Sequence, residues 1–389
     1  MKKLRIAFVY DNISSYICGA NLSTLRFAKL LKEQGHHIIF ISSKFKGSKS
    51  VDYFDGIKTY RFFSIIVPKT GGHFFMSFPR VSKLIEIFKK EKIQIVHYMT
   101  PVISATQAVK AANYLGLKLV AHHHTQPENI FFHFPKIFIN KFVFDWFYKD
   151  MIEKYKQAEV IICPSKFAER SLKRYDKSLN TRVISNGVDR TKFKKVKFLD
   201  FLKKHGLKKE NKRLLFIGRL YPEKNVEVLI KAMPNILMEN KATDLLIVGS
   251  GELKEKLEFT AKTLGINKQI HFLGRIPDED LVKAYNSCDI FILPSIAELE
   301  GMVVLEAMAC GKPIIISDSE ETAAKDFVQK NGFIFKTTDK LDLAKKVNII
   351  LSNPKLEKNM AKMSLKEIKN YDIRDSILKL EKVYHSLIK

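Results

Sequence analysis

The chain has 389 residues, 46% hydrophobic and 28% charged, which excludes a disordered protein and is long enough for two cores of ordinary domain size. No apolar run approaches the roughly 18–20 residues of a membrane span, and in MKKLRIAFVY the apolar run ends too early at Asp11 for a signal peptide, so it reads as a first strand. The net charge of +26 is uneven: residues 1–210 carry 39 basic against 16 acidic side chains, residues 211–389 carry 28 against 25. Such asymmetry points to a polyanionic partner, nucleic acid or an anionic membrane; a lysine-rich proteome would load both halves alike. Cys18, Cys163, Cys288 and Cys310 show neither metal spacing nor a disulfide pattern, which suits a reducing cytoplasm.

LRIAFVY (4–10) is predicted as a buried strand, followed by the loop DNISSYICGAN, a helix from Leu22 to Glu33 stopped at Gly35, and a strand HHIIFIS (36–42). In such a βαβ opening a glycine after the first strand, here Gly19, lets backbone approach a phosphate. Residues 43–75 read as loops and short strands around Asp55-Gly56 and Gly71-Gly72. From Pro79 to Lys92 the spacing predicts an amphipathic helix with Val81, Leu84, Ile85 and Phe88 on one side and Lys83, Lys89, Lys90 and Lys92 beside them; the aromatic stretch HFFMSF (73–78) precedes it. Its stripe packs on a sheet or lies on a membrane surface, and both readings stay open.

IQIVHYMTP (93–101) is a strand, 103–115 a helix ending at Gly116, and KLVAHHHTQPENI (118–130) a strand running into a polar loop. His122, His123 and His124 fall at a strand's carboxyl end, where open α/β sheets bind ligands, but three consecutive side chains point in different directions and do not suit one metal ion. The aromatic, lysine-interleaved stretch 131–150, which holds Trp146, reads as a buried helix or an interfacial element. AEVIICPSKFAERSLKRYD (158–176) gives strand, Pro-Ser loop and basic helix; TRVISNGVDRTKF (181–193) turns at Asn186-Gly187, and the lysine-rich 192–212 reads as a linker.

The second half opens with strand LLFIG, a loop and a helix (211–233), where Arg219 and Lys224 can converge on one anion. The glycines of DLLIVGSGEL (244–253) suit a structural turn, and 269–295 alternates strand, loop, helix, strand. In PSIAELEGMVVLEAMACGKP (294–313) a polar loop with Glu298 leads through Gly301 into a short buried helix. A helix entered through glycine offers unpaired N–H groups at its positive end, suited to phosphate. Glu306, about one turn in, is a buried carboxylate that needs partners, and a vicinal diol is one candidate. Helices are expected over 339–351 and 354–370, then a terminal helix.

The pattern PS-x-x-E-x-x-G-x-x-x-LEAMACGKP, with Glu298-x7-Glu306, resembles the retaining GT-B glycosyltransferases of family 4, and FIGR-x-x-x-EK, the N-G-V-D turn and the histidine before Thr125 extend the resemblance over nearly the whole chain. It implies an α/β fold of two Rossmann-like domains facing across a cleft. Domain one would span 1–195 plus a terminal helix 372–389 that crosses back; domain two would span 210–371. It implies a nucleotide-sugar donor, UDP- or GDP-linked, with no cofactor and no metal. Gly19 would lie near the diphosphate, Arg219 and Lys224 would clamp it with the N–H groups of Gly301, Met302 and Val303, Arg275 and Ile276 would hold the base through backbone groups, Glu306 the ribose, and Glu298 the sugar. His124 would contact the sugar and acceptor region. SEET (319–322) departs from the family's small Gly-rich loop, and Cys18 stands where a second glycine is usual. TQPEN (125–129) is similar to lipid glycosyltransferases, which implies UDP-glucose and a membrane acceptor such as diacylglycerol or a phosphoinositide, with the enzyme peripheral on the inner face of the cell membrane. A soluble or polyprenyl-linked glycan is the alternative acceptor, and a non-enzymatic polyanion-binding protein a distant one. Nucleic acid is not expected as a partner, since no RNP-like or helix-turn-helix pattern is visible.

Overall fold

The computed structural model describes residues 2–14, 19–67, 74–127 and 141–388. They form two compact units, one of residues 1–186 and 374–389, the other of Gly187–Ile373.

The first unit holds the strands β1 (Arg5–Val9), β2 (His37–Ser43), β3 (Val51–Phe54), β4 (Ile57–Phe62), β5 (Ser64–Ile66), β6 (Phe75–Ser77), β7 (Ile95–Tyr98), β8 (Lys118–His122), β9 (Val160–Cys163) and β10 (Thr181–Val183). Eight of them make one sheet in the order β10-β9-β8-β7-β1-β2-β4-β3, parallel throughout except for β3–β4. The parallel strands are apolar on both faces because helices cover both sides of such a sheet. Asp55 and Gly56 close the β3–β4 hairpin with φ of 47° and 70°, the left-handed pair that a two-residue turn between twisted strands demands. The helices are α1 (Gly19–Glu33), α2 (Val81–Lys90), α3 (Ile103–Leu115), α4 (Lys141–Tyr155) and α5 (Lys166–Lys173). In α2 the residues Leu84, Ile87 and Phe88 are buried, so the amphipathic stripe packs inward and the membrane-surface reading of this helix is not supported. Residues 131–140 lie outside the described residues; in α4, Tyr148, Met151, Ile152 and Tyr155 are buried while Phe142 and Trp146 are exposed.

From Arg374 onward the C-terminal helix (Ile373–Leu387) belongs to the first unit. It buries Ile377, Leu380 and Tyr384. Its Glu381 carboxylate meets His36 Nε2 at 2.7 Å, and the Tyr384 hydroxyl lies 2.6 Å from His97 Nδ1.

The second unit holds β11 (Lys212–Ile217), β12 (Thr243–Val248), β13 (Ile270–Gly274), β14 (Ile290–Leu293), β15 (Ile314–Ser317) and β16 (Gly332–Phe335). They form one parallel sheet in the order β13-β12-β11-β14-β15-β16. Its helices are α6 (Leu199–Lys204), α7 (Val226–Glu239), α8 (Lys254–Thr263), α9 (Asp278–Ser287), α10 (Met302–Ala309), α11 (Lys340–Leu351) and α12 (Pro354–Glu367). The lysine-rich stretch 192–212 is no bare linker: Phe193, Phe201, Leu202 and Leu207 belong to this unit's core. The glycines after β12 serve close packing, as expected. A Cβ on Gly249 would fall 1.9 Å from the Gly218 carbonyl oxygen, and one on Gly251 2.4 Å from that of Leu220. No helix among the described residues is long and apolar enough to cross a membrane.

Candidate functional site

In the second unit β11 hydrogen-bonds to β12 on one side and β14 on the other. Ligands of open parallel sheets bind beyond the strand ends at such a switch point, and the loops after β11 and β14 carry most of the sequence-predicted residues. The loop after β11 passes Arg219 and makes a short 3-10 turn over Pro222–Lys224. Glu223, fully buried, is its anchor: its carboxylate accepts from Arg219 at 2.9 Å, and its carbonyl accepts from the Ile296 N–H of the β14 loop at 2.8 Å. Arg219 also stacks 5.0 Å above the Tyr221 ring.

Lys224 Nζ reaches Glu298 Oε1 at 2.6 Å, with the two side chains only 13% and 15% exposed. The two cations therefore do not simply point at a shared empty position. Each holds a carboxylate, and an anionic ligand must compete with or share those partners. The SEET segment braces this arrangement: Glu298 N–H donates to the Glu321 carbonyl, Ala323 N–H donates to the Glu298 carbonyl, and Ser319 Oγ donates to the Ile296 carbonyl. The departure from a glycine-rich loop thus becomes a backbone clasp on Glu298.

Gly301 has φ +91° and caps the start of α10. A Cβ there would sit 3.0 Å from Ala324 Cβ, so both backbone and space favour glycine. Met302 and Val303 follow in the first turn, where N–H groups have no intrahelical acceptor. Glu306 is buried on α10, and the Tyr285 hydroxyl of α9 donates to its Oε2 at 2.8 Å. Gly274 turns β13 with φ +64°, and Arg275 Nε donates to Ser250 Oγ at 3.0 Å while Ile276 is half-buried.

In the first unit His122 ends β8. Its ring stacks on His97 at 5.5 Å and on His124 at 4.1 Å, and Phe8 closes the column 5.0 Å beyond His97. Burial holds the imidazoles of His97, His123 and His124 down at about 3, and that of His122 well below its ordinary range. All four are neutral near pH 7. Parallel stacked rings do not chelate, and among the described residues no group of three or more His, Cys, Asp or Glu could hold a metal ion. Gly19 opens α1, and a Cβ there would meet nothing within 4 Å; Cys18 lies outside the described residues.

Sequence reasoning missed Tyr285, Glu223 and Asp11. Asp11 follows β1 at the sheet's own switch point between β1 and β7. It is buried, accepts from Ser77 Oγ, and burial pushes its carboxyl up to about 6. A carboxylate immediately after an apolar central strand was the available signal. Tyr285 and Glu223 carry none, since their partners are set by tertiary contact.

Two family profiles match the chain: "Glycosyltransferase Family 4" over residues 17–192 and "Glycosyl transferases group 1" over residues 198–367. An uncharacterized glycosyltransferase of Methanocaldococcus jannaschii is 40% identical over 119 residues, 31% of this chain and 30% of that protein. Alpha-monoglucosyldiacylglycerol synthase of Streptococcus pneumoniae is 24% identical over 318 residues, 80% of this chain and 70% of that protein. The crystal structure of HepE from Anabaena in complex with UDP and glucose superposes with a TM-score of 0.78 at 19% identity, covering 98% of this chain and all of that one (100%). The two parallel-sheet units, the motif residues at their strand ends and the matched profiles together place the chain in the family 4 glycosyltransferases of the GT-B fold.

Proposed function

We propose that the enzyme transfers a hexose from a nucleotide-sugar, UDP-glucose in the favoured case, to a membrane lipid such as diacylglycerol, with retention of anomeric configuration and without a metal. The observation that carries the donor assignment is the cluster at the second unit's switch point, Arg219 and Lys224 held by Glu223 and Glu298 beside the glycine-capped start of α10. The complex of HepE with UDP and glucose supports a uridine donor on this fold. The name of the S. pneumoniae relative supports a diacylglycerol lipid as acceptor, and the basic first half suits an anionic, peripheral membrane position on the cytoplasmic face.

In this mechanism the departing diphosphate gathers negative charge as the glycosidic bond stretches. Arg219, Lys224 and the N–H groups of Gly301, Met302 and Val303 stabilise that charge in place of a metal ion. Glu306, kept in orientation by the Tyr285 hydroxyl, accepts from the ribose diol. Glu298 is released from Lys224 as the diphosphate binds and turns to the sugar hydroxyls. Arg275 and Ile276 offer backbone groups to the base. His124, neutral at the end of β8, is the acceptor-side contact, and Gly19 the backbone approach in the first unit. The acceptor attacks the face from which the diphosphate leaves.

The test is product formation from a panel of nucleotide-sugars with diacylglycerol in anionic vesicles, in EDTA, with Glu306→Ala as control. A glycolipid formed by the native chain and lost in the variant is expected. Donor hydrolysis without glycolipid moves the acceptor to a glycan, and no turnover of any donor overturns the assignment. The non-enzymatic polyanion-binding reading falls with family membership.

A further inference from the structure

The β5–β6 hairpin stands apart from the eight-stranded sheet. Ser64, Ile65 and Ile66 pair with Ser77, Met76 and Phe75, and Phe78 N–H to Phe63 O (3.0 Å) and Val67 N–H to Phe74 O (2.9 Å) extend the ladder at both ends. Side chains alternate between faces along a strand, and directly opposite residues share one. Phe63, Ile65, Val67, Phe74, Met76 and Phe78 therefore lie on a single face with no polar residue among them. On the other face Phe75 packs edge-on against Phe45 at 4.6 Å and Ser77 donates to Asp11, while Ile66 is 54% exposed. On the apolar face Phe63 is 71% exposed, Ile65 46% and Phe78 37%. Apolar side chains exposed together in this way mark an interaction surface.

Beside Phe63 runs a groove of about 570 Å³ whose walls include Lys44, Phe62, Lys83 and Lys90. Lys83 is paired with Glu86 at 2.6 Å; among the described residues Lys44 and Lys90 have no carboxylate partner. Apolar and aromatic side chains flanked by lysines match the boundary between acyl chains and anionic headgroups. A second copy of this chain fits less well, because a face-to-face pair would bring the uncompensated lysines together.

We propose that this hairpin is the membrane-docking element of the enzyme: Phe63, Ile65 and Phe78 enter the interface of an anionic bilayer while Lys44 and Lys90 take its headgroup phosphates. The assignment deepens the membrane part of the proposed function and rests on it. It places apolar insertion on the hairpin and leaves α2 only a headgroup contact, at Lys90.

Sedimentation of the full chain with vesicles of phosphatidylcholine, with and without phosphatidylglycerol, tests it without donor or acceptor turnover. The native chain is expected to bind the anionic vesicles at physiological salt, and Phe63→Ser/Ile65→Ser to lose roughly tenfold or more in partitioning. Lys44→Glu/Lys90→Glu is expected to lose the preference for phosphatidylglycerol. Unchanged melting in these variants shows that the fold is intact. A chain with Ile65→Trp and Trp146→Phe carries its only indole on the hairpin, and its emission should shift to the blue on anionic vesicles. Equal binding by the Phe63/Ile65 variant, or no shift of that indole, overturns the proposal. So does self-association in light scattering that the same variant abolishes without vesicle binding. Hairpin docking with a soluble glycan as acceptor would keep the membrane element and discard the lipid substrate, so the two failures are distinct.

Discussion

Replacing Lys224 and Glu298 singly and together asks whether their ion pair is a resting-state lock that a diphosphate opens. At 2.6 Å the gross attraction is about 6 kcal/mol at an effective dielectric of 20. Desolvating two charges that are each only about one-seventh exposed returns most of it, which leaves a coupling of about 1–3 kcal/mol. Lys224→Met strands a largely buried carboxylate and removes a phosphate donor. A charged hydrogen bond is worth about 1.5–3 kcal/mol, so the dissociation constant for UDP should rise about 10- to 150-fold. Glu298→Gln neutralises the competitor for Lys224, so UDP should bind as well as before or tighter while transfer of the sugar collapses. Isothermal titration with UDP, with donor turnover on the same preparations, reads both. A Lys224→Met chain that binds UDP within twofold of the native one, or a Glu298→Gln chain that loses UDP affinity in parallel with it, refutes the lock. Additive loss of stability in the double variant refutes the pair's coupling.

Gly301→Ala forces a side chain into φ +91°, about 1–2 kcal/mol of backbone strain, and against Ala324 Cβ at 3.0 Å; calorimetry should show weaker UDP binding with the melting temperature lowered. Tyr285→Phe removes the hydroxyl that donates to buried Glu306, which should destabilise the second unit by about 1–3 kcal/mol in denaturant unfolding and raise the KM for donor. EDTA should leave transfer unchanged, and a rate restored only by added Mg²⁺ or Mn²⁺ would contradict the cationic clamp. Acid should destabilise the fold. His97 and His123 are held at about 3, so below pH 6.5 the unfolded chain binds protons that the folded chain refuses, a loss of about 2 kcal/mol per histidine by pH 5. Asp11, raised to about 6, acts oppositely and regains only about 1 kcal/mol over that range, so the melting temperature should fall between pH 7 and 5; a rise would show that the histidine column titrates in the fold.

What the sequence disclosed follows from how local each feature is. Gly301 opening a helix and Glu306 lying inside it are short-range facts, written in one 20-residue stretch and found in place. The pairing of Lys224 with Glu298 spans 74 positions, and that of Tyr285 with Glu306 depends on how α9 packs beside α10; composition holds both partners but not their meeting. The 192–212 stretch looked like a linker because its lysines dominate the count, while the spacing of Phe193, Phe201, Leu202 and Leu207 that buries it is quiet. In α2 the 3.6-residue period shows that a face exists but not whether it is covered, and in the fold Leu84, Ile87 and Phe88 are buried, with α3 packed beside the helix. The hairpin's apolar face was hidden for the converse reason. Phe63 and Ile65 are separated in sequence from Met76 and Phe78, and only strand pairing puts them on one surface.

The two units treat charge in opposite ways, and the difference bears on where each half of a transfer reaction fits. The second unit pairs Arg219 and Lys224 with Glu223 and Glu298, so under the proposed function a diphosphate would meet cations already positioned and displace only carboxylate contacts. The first unit instead stacks His97, His122 and His124 in a column against Phe8, with His123 edge-on to Tyr155, and burial keeps all four imidazoles neutral near pH 7. A neutral imidazole just after β8 can hydrogen-bond a hydroxyl without the attraction for phosphate that an imidazolium has. Burial is what enforces that neutrality, and the sequence HHH needs it: three adjacent histidines in water would carry partial positive charge near pH 6.5. Under the proposed function, such a neutral edge suits an uncharged hydroxyl nucleophile better than a phosphorylated one.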